Sequence, residues 1–210
     1  MPYNITNINL LEELLFDRLS KKLPGMSAQE KMIPFFPDNE PEYFNYDQTL
    51  RDAAVLICLF EDNNRIKTVL IERVQDSGPH SGQIAFPGGR KDDTDSDLIH
   101  TALREADEEV GLKIQRKSYV GSLTPVRIPI SKYNVLPVIC LIENIGELIT
   151  CEAEVRNVFV VDLLDLLESE GIRQVSARQL TIDAPSFAFD NQIVWGATAM
   201  VLKELKEMIY

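Results

Sequence analysis

The stretch FPGGRKDDTDSDLIHTALREADEEVGL, residues 86–112, joins a tight turn to a segment rich in carboxylates. From about Ser96 to Val110 it contains neither Pro nor Gly, and its Ala, Leu, Arg and Glu residues favour a helix. Asp95 or Ser96 is expected to cap the start of this helix, and Gly111 is expected to end it in left-handed backbone. The stretch therefore predicts a glycine turn followed by a helix of about four turns.

The predicted helix has two unlike faces. At about 100° per residue, one narrow stripe is apolar and contains Ile99, Leu103, Ala106 and Val110. The opposite side carries three acids within one turn, namely Glu105, Glu108 and Glu109. These carboxylates repel one another, and the nearby basic partner is Arg104, four residues before Glu108. Because Mg²⁺ and Mn²⁺ prefer carboxylate oxygens, the cluster is a candidate metal site, with a solvated acidic face as the alternative.

The whole stretch resembles the signature of the Nudix hydrolases, in which a Gly and a Glu precede Arg-Glu-apolar-x-Glu-Glu-x-Gly-apolar. Here Gly89 is followed after five residues by Asp95, and after eight more residues comes READEEVGL, residues 104–112. Asp95 stands where the general signature has Glu, the gap to Arg104 is one residue longer, and Ala106 is small for its position. The first two departures resemble the coenzyme A pyrophosphatase branch of the family.

Other parts of the chain, over about residues 50–205, resemble the same branch. The form LLxxRxxxxRxHxGxxxFPGG is matched at Leu70, Ile71, Arg73, His80, Gly82, Phe86, Pro87, Gly88 and Gly89. Val135-x-Pro137 and the run WGATA, residues 195–199, also resemble it, and Gly196 and Ala199 of that run are expected to allow close helix–sheet contact. Gly78 stands where that branch usually carries a basic residue, and Lys91 and Arg51 are the candidates to replace it.

The resemblance and the chemistry of the acids together give a set of catalytic and metal-binding residues. Divalent Mg²⁺ or Mn²⁺ is expected to be held by Glu105, Glu108, Glu109 and the main chain of Gly89. Either Glu105 or Glu154 is expected to be the general base, with Glu152 as the neighbouring alternative to Glu154. Arg104 is expected to orient the glutamates.

Four further residues are expected to bind the substrate: Arg73, His80, Gly82 and Gly88. Arg73 is the most attractive phosphate contact, because a guanidinium can grip two phosphate oxygens at once. The alternative is a surface arginine at the end of a strand. His80 either orients the substrate and assists proton transfer, or makes structural hydrogen bonds in its loop.

Composition limits the class of protein and its partners. With 210 residues and 45% apolar content, the chain is large enough for a real core. A net charge of −12 argues against a nucleic-acid surface, although a bound cation would still allow a small anionic substrate. Cys58 and Cys140 lie in apolar runs and are expected to be buried packing residues. Three widely spaced cysteines and no signal peptide favour a reduced cytoplasm. The longest apolar run, Ala53–Phe60, is too short to span a bilayer.

The fold class expected is α/β (α+β), a Nudix-type mixed sheet sandwiched between helices. Residues 1–46 are expected to form an amphipathic helix, about Ile5–Leu23, and an irregular Pro-rich connection; residues 47–210 are expected to form the Nudix domain. The helix is expected to pack on the domain or on a second subunit, so a homodimer stays open. Strands are expected at Ala53–Phe60, Thr68–Arg73, Tyr119–Leu123, Val135–Ile142 and Val158–Leu163. A turn is expected over 61–64 and a loop over 125–134.

The resemblance implies a metal-dependent hydrolase that cuts coenzyme A or an acyl ester at the diphosphate. The products would be 3′,5′-ADP and 4′-phosphopantetheine or its acyl form. Another nucleoside diphosphate-X substrate, such as ADP-ribose, NADH or a dinucleoside polyphosphate, is the alternative within the enzyme class. A non-catalytic Nudix-like binding module and a structural calcium site are the alternatives outside it.

Overall fold

The structure, a computed structural model, describes residues 7–35, 49–75, 78, 80–177 and 180–210. Its strands are β1 Arg51–Asp62, β2 Arg65–Arg73, β3 Ile84–Ala85, β4 Gly88–Arg90, β5 Tyr119–Ser122, β6 Val126–Ile128, β7 Tyr133–Ile142, β8 Val155–Asp162, β9 Gly171–Ala177, β10 Leu180–Phe189 and β11 Gln192–Trp195. Its helices are α1 Ile8–Leu19, α2 Met26–Gln29, α3 Leu98–Val110, α4 Leu163–Glu168 and α5 Ala197–Ile209. Short 3-10 turns lie at Glu30–Met32 and Arg116–Ser118.

Strand β1 organises the larger sheet. It pairs in parallel with β7 over Arg51–Phe60, and on its other edge it pairs antiparallel with β2 at one end and with β4 at the other. Among the described residues, eight strands join this mixed sheet in the order β3-β2-β1-β7-β5, with β4, β6 and β8 beside β1, β7 and β2. A second, antiparallel sheet has the order β11-β10-β9. The expected mixed sheet with helices is confirmed.

Both faces of the larger sheet are buried, which explains the uninterrupted apolar run in β1. Alternate residues of β1 pack under α3 on one face, namely Ala54, Leu56, Cys58 and Phe60. The intervening Ile57 and Leu59 pack on the other face, in the same cluster as residues of α1, α4 and α5. Helix α3 is thereby fixed against β1, and it also contacts β4.

Helix α1 packs on the body of the protein. Its buried side chains, Leu11, Leu14 and Leu15, belong to the same cluster as Leu205 of α5. Burying one leucine side chain fully contributes about 1.5–3 kcal/mol, so these contacts hold α1 in place. Of the two expected packing partners, the structure shows the domain itself.

Several expected boundaries differ from the structure. The N-terminal helix ends at Leu19 and not at Leu23, and the connection expected to be irregular contains α2. The expected loop 125–134 contains β6, which is too short to show a clear apolar pattern. Strand β9 was not expected either, because its residues are mostly polar or exposed. Residues 1–6 and the boundary expected between residues 46 and 47 lie outside the described residues.

Gly196 corrects another expectation. A close helix–sheet contact was expected to require glycine there, but no atom lies within 4 Å of the position that a Cβ would occupy. Its φ of +64° at the start of α5 explains the glycine instead. Ala199 is fully buried, as expected for close packing.

Cys58 and Cys140 are neighbours in the β1–β7 register, and both are buried, as expected for packing residues. Burial raises the pKa of both thiols, that of Cys140 to about 12. Both cysteines are therefore unreactive thiols at neutral pH. In the described part of the chain, the longest helices have 13 residues, and none is long and apolar enough to cross a membrane.

Candidate active site

A cleft of about 440 Å³ lies where α3, β4, β6 and the start of α5 meet. One side of it is charged and contains Arg73, Arg104, Glu105, Glu108, Glu109 and Glu154. The other side is mostly apolar and contains Val126, Ile128, Tyr133, Val135, Ala197 and Val201. The cleft can therefore bind a ligand with one anionic and one uncharged part, provided that cations cover the carboxylates.

Three carboxylates converge at the charged side. Glu105 and Glu109 are one turn apart on α3, and Glu154 directly precedes β8. One carboxylate oxygen from each lies within 4.8 Å of the others. The backbone of Glu154 is held in place by Val74, whose N–H donates to the Glu154 carbonyl at 3.0 Å. Hence the pairing of β8 with β2 brings Glu154 to the helix.

Glu109 is the most buried member of this group, with 1% of the residue exposed. Its Oε2 accepts a hydrogen bond from the Gly88 N–H at 2.8 Å, while Arg73 Nη1 lies 3.6 Å from Oε1. Burial raises the pKa of Glu109 to about 7, against the opposing effects of that hydrogen bond and of Arg73. Burial also raises the pKa of Glu105, against the opposing effect of Arg104.

The donor set fits a hard divalent cation. Oε1 of Glu109 is buried and accepts no hydrogen bond from the described residues, and Arg73 Nη1 lies 3.6 Å from it. An orphaned buried carboxylate oxygen is costly unless a cation neutralises it. Oxygen donors are the ligands that Mg²⁺ and Mn²⁺ prefer.

The two glycines of β4 allow this close approach. A Cβ on Gly88 would lie 2.3 Å from the carbonyl oxygen of Ala54, so the β1–β4 contact requires glycine. A Cβ on Gly89 would lie 2.4 Å from Oε2 of Glu105. Gly89 therefore leaves room for the Glu105 carboxylate, and Gly88, which also lines the cleft, donates its N–H to Glu109.

Arg104 links the acids of α3 to the preceding loop. Its Nε and Nη2 donate to the two carboxylate oxygens of Asp95 at 3.0 and 2.9 Å, and Nη1 lies 2.9 Å from Glu105 and 2.8 Å from Glu108. The Glu108 side chain is 59% exposed, and Glu108 is not part of the carboxylate group of Glu105, Glu109 and Glu154. Helical periodicity predicted that Glu105, Glu108 and Glu109 lie together, whereas in the structure Glu154, and not Glu108, joins Glu105 and Glu109.

The helix cap differs from the expectation. Asp97, and neither Asp95 nor Ser96, caps α3 by accepting from the His100 N–H at 2.9 Å. Asp95 is buried; besides Arg104 it accepts from Thr101 Oγ1 and from the Asp92 N–H, both at 2.9 Å. The hydrogen bonds from Arg104 hold the pKa of Asp95 well below its usual range. Gly111 ends α3 with a φ of +71°, as expected.

The residues expected to bind substrate lie in different places. Arg73 and His80 line the cleft, and His80 Nδ1 is hydrogen-bonded to Gln83 Oε1 at 3.1 Å. Gly82 is outside the cleft lining and has a φ of +66° in the loop after β2. It therefore shapes the loop that carries His80.

The alternatives considered for this site lie outside the cleft. Glu152 is exposed and is not part of the carboxylate group. Lys91 and Arg51 do not line the cleft, and the Arg51 guanidinium stacks 4.4 Å above the Tyr133 ring. Position 78 lies in an adjoining pocket with His80.

The apolar side of the cleft was missed by sequence reasoning. Val126 and Ile128 belong to β6, which is three residues long, and Val201 lies on α5. The available signal was the alternation of Val126, Arg127 and Ile128 within the expected loop. Its brevity hid it.

Comparisons with known proteins agree on one family. The family model of the NUDIX domain matches residues 50–180. Proteins of Yersinia pestis and Yersinia pseudotuberculosis called "Uncharacterized Nudix hydrolase NudL" are 32% identical over 179 residues, which is 82% of this chain and 87% of theirs.

Solved structures share the fold at low sequence identity. The MutT/nudix family protein from Enterococcus faecalis has a TM-score of 0.53 and 15% identity, over 95% of this chain and 74% of that one. The MutT protein from Methanosarcina mazei Go1 has a TM-score of 0.51 and 15% identity, over 78% of this chain and 96% of that one. Since the family model covers more than half of the chain and the Yersinia relatives match most of its length, this protein belongs to the Nudix hydrolase family.

Proposed function

We propose that this protein is a divalent-metal-dependent hydrolase of coenzyme A or its acyl esters. Water is added across the P–O–P linkage, giving 3′,5′-ADP and 4′-phosphopantetheine or its acyl form. The observation that carries the hydrolytic part is the convergence of Glu105, Glu109 and Glu154 in one cleft. The substrate is suggested by the resemblance of residues 70–89 and 195–199 to the coenzyme A branch, and the apolar side of the cleft suits an uncharged pantetheine arm.

Glu105, Glu109 and Glu154 would hold the cations, and Glu108 and the Gly89 carbonyl are the further candidate ligands. Bound Mg²⁺ or Mn²⁺ supplies neutralisation of the diphosphate charge and lowers the pKa of the attacking water. Without such neutralisation, the carboxylates would repel the substrate.

The remaining groups position the reactants. Arg73, whose side chain is 34% exposed, would contact a phosphate oxygen while still facing Glu109. Asp95 would hold the Arg104 guanidinium in place, and Arg104 would in turn orient the Glu105 carboxylate. Glu105 or Glu154 would accept the proton of the attacking water. His80 would orient the substrate arm from its loop.

The first prediction concerns the substrate. With Mg²⁺ or Mn²⁺, purified protein should convert coenzyme A to 3′,5′-ADP, with a kcat/KM higher than for ADP-ribose, NADH or diadenosine polyphosphates. Mass spectrometry of the products identifies both the substrate and the bond cut. Turnover confined to another diphosphate would refute the coenzyme A assignment, and binding without turnover of any of them would favour the non-catalytic module.

Variants of the same protein test the site. Glu109→Gln should lower turnover by at least the ~10–100-fold typical of damage to the surroundings of a metal site. Glu152→Gln is the matched control, since Glu152 is two residues from Glu154 yet outside the carboxylate group, and it should keep wild-type turnover. Comparing Glu105→Gln with Glu154→Gln by pH–rate profile would identify the general base.

A further inference from the structure

Glu204 is a carboxylate buried in α5, far from the metal-binding acids in sequence. It is 0% exposed, and its two oxygens accept hydrogen bonds from three groups. The N–H groups of Gly25 and Thr124 donate to Oε1 at 3.1 and 3.2 Å, and Gln29 Nε2 donates to Oε2 at 2.8 Å. A buried carboxylate is costly to desolvate, and an apolar side chain would fill this face of α5 at lower cost. The carboxylate therefore calls for a reason other than packing.

These contacts close into one unit, the Glu204 clamp, formed by Gly25, Gln29, Thr124 and Glu204. Gln29 Nε2 also donates to the Thr124 carbonyl at 3.0 Å. The N–H of Thr124 is thus held by α5, and its carbonyl is held by Gln29 of the N-terminal segment, by which we mean residues 7–35. The two segments also approach closely, because a Cβ on Gly25 would lie 3.3 Å from Thr124 Oγ1.

The clamp is connected along the chain to the apolar side of the cleft, through β6 and α5. Thr124 is two residues before β6, whose Val126 and Ile128 line the cleft. Val201, which also lines the cleft, is three residues before Glu204 on the same helix. None of the four clamp residues lines the cleft itself. Their influence on a ligand would therefore pass through β6 and α5.

We infer that Glu204 is a positioning residue that fixes the apolar side of the cleft, and that the N-terminal segment acts through it in substrate recognition. The ligand class is a diphosphate with one uncharged arm, held between β6 and α5; this part rests on the proposed function. The carboxylate suits the task because it can hold two main-chain N–H groups and one amide at once.

The test compares Glu204→Gln with wild type. The added amide NH₂ would face donors that now bind a carboxylate, so at least one hydrogen bond of the clamp is lost while volume is kept. We expect KM for coenzyme A to rise about tenfold, with kcat within about threefold and an unchanged metal requirement. Hydrogen exchange should become faster in the peptide that contains Thr124–Ile128, and not in α3.

Two further variants complete the design. Glu207→Gln is the matched control on the same helix, because the Glu207 side chain is 26% exposed and pairs only with the charged ends of Lys31 at 2.8 Å and Lys203 at 3.4 Å among the described residues. KM and exchange should stay at wild-type values. Gln29→Met removes the amide from the other side of the clamp and should reproduce the Glu204→Gln effect. If Glu204→Gln does not fold, Gln29→Met decides the question.

The inference is overturned if folded clamp variants keep wild-type KM and wild-type exchange in Thr124–Ile128. It is also overturned if exchange rises equally throughout the protein, since that would indicate a general loss of stability. Failure of the proposed function is a separate result: if coenzyme A is not cut, KM is measured with the diphosphate that is cut, and the exchange comparison needs no substrate.

Discussion

At the residue scale, Asp95 and Glu109 show how burial and a partner decide the state of a carboxylate. Both are almost inaccessible to solvent. Hydrogen bonds from Arg104 lower the pKa of Asp95, so Asp95 stays ionised and anchors the guanidinium. Burial dominates at Glu109 and raises its pKa to about 7. The first carboxylate is therefore held ionised by the protein itself. The second has only Arg73, 3.6 Å from its Oε1, against the cost of burial, which makes it the better candidate for an added cation.

Asp95 carries the prediction at this scale. Asp95→Asn should destabilise the protein by about 2–3 kcal/mol, slightly less than for a fully buried pair because the Arg104 side chain is 18% exposed. Turnover should also fall by ~10–100-fold, because Arg104 would no longer hold Glu105 in place. Urea unfolding and product formation measure the two effects.

The control for that prediction is Asp97→Asn. Asn is as good a helix cap as Asp, and the pair of Asp97 with Arg116 is exposed. We expect a change within about 0.5 kcal/mol and normal turnover. Equal losses in the two variants would contradict the role given to the Asp95–Arg104 pair.

At the scale of the element, β4 is three residues long and yet serves both the sheet and the site. Gly88 allows it to approach β1, and Gly89 leaves room for Glu105. The two adjacent glycines thus have separable tasks. One is needed for the fold, and the other for the geometry of the carboxylates.

A pair of alanine variants separates these tasks. Gly89→Ala places a methyl group against the carboxylate end of the Glu105 side chain, which can turn away without moving the backbone, so we expect a stability loss below about 1 kcal/mol and a turnover loss above about tenfold. Gly88→Ala meets the Ala54 carbonyl and the Val55 backbone, so we expect a loss above about 3 kcal/mol. Thermal unfolding and turnover of both variants are compared; a strongly unfolded Gly89→Ala with intact Gly88→Ala would reverse the assignment.

At the scale of the whole molecule, the stability of the metal-free protein should depend on pH through Glu109. Its pKa is raised from 4.5 in the unfolded chain to about 7 in the fold. The folded state therefore keeps a proton that the unfolded chain releases, and this contribution to stability is present at low pH and lost as pH rises through about 7.

Comparing wild type with Glu109→Gln isolates this effect. From about pH 5 to about pH 8, without divalent ions, wild type should lose up to about 3 kcal/mol relative to the variant, at about 1.4 kcal/mol per pKa unit. Urea unfolding at each pH measures the difference. Adding Mg²⁺ or Mn²⁺ at the higher pH should raise the Tm of wild type more than that of the variant. A pH-independent difference would place Glu109 in a solvated environment.

Much of the structure of this protein depends on interactions between residues close in the sequence, and this part could be predicted. Helix α3, its end at Gly111, the β1–β2 pair and the candidate site residues Arg73, Glu105, Glu109 and Glu154 follow from residue patterns and from the Nudix resemblance. Backbone preferences and periodic burial act within a few residues, so a single sequence contains them. The roles of these residues remain proposals, whereas their placement around one cleft is observed.

Only the tertiary structure decided the rest, because burial and pairing across the chain depend on which strands meet. It brought Glu154 beside α3 through β8, buried Asp95 against Arg104, and left Glu108 exposed. It also placed β6 in the lining of the cleft. The Glu204 clamp joins Glu204 to Gln29 and to Gly25, which are 175 and 179 positions away in the sequence. The sequence by itself determined which carboxylates were available for a cation. Solvent exclusion and hydrogen bonding in the folded protein determined which of them lie together and which need one.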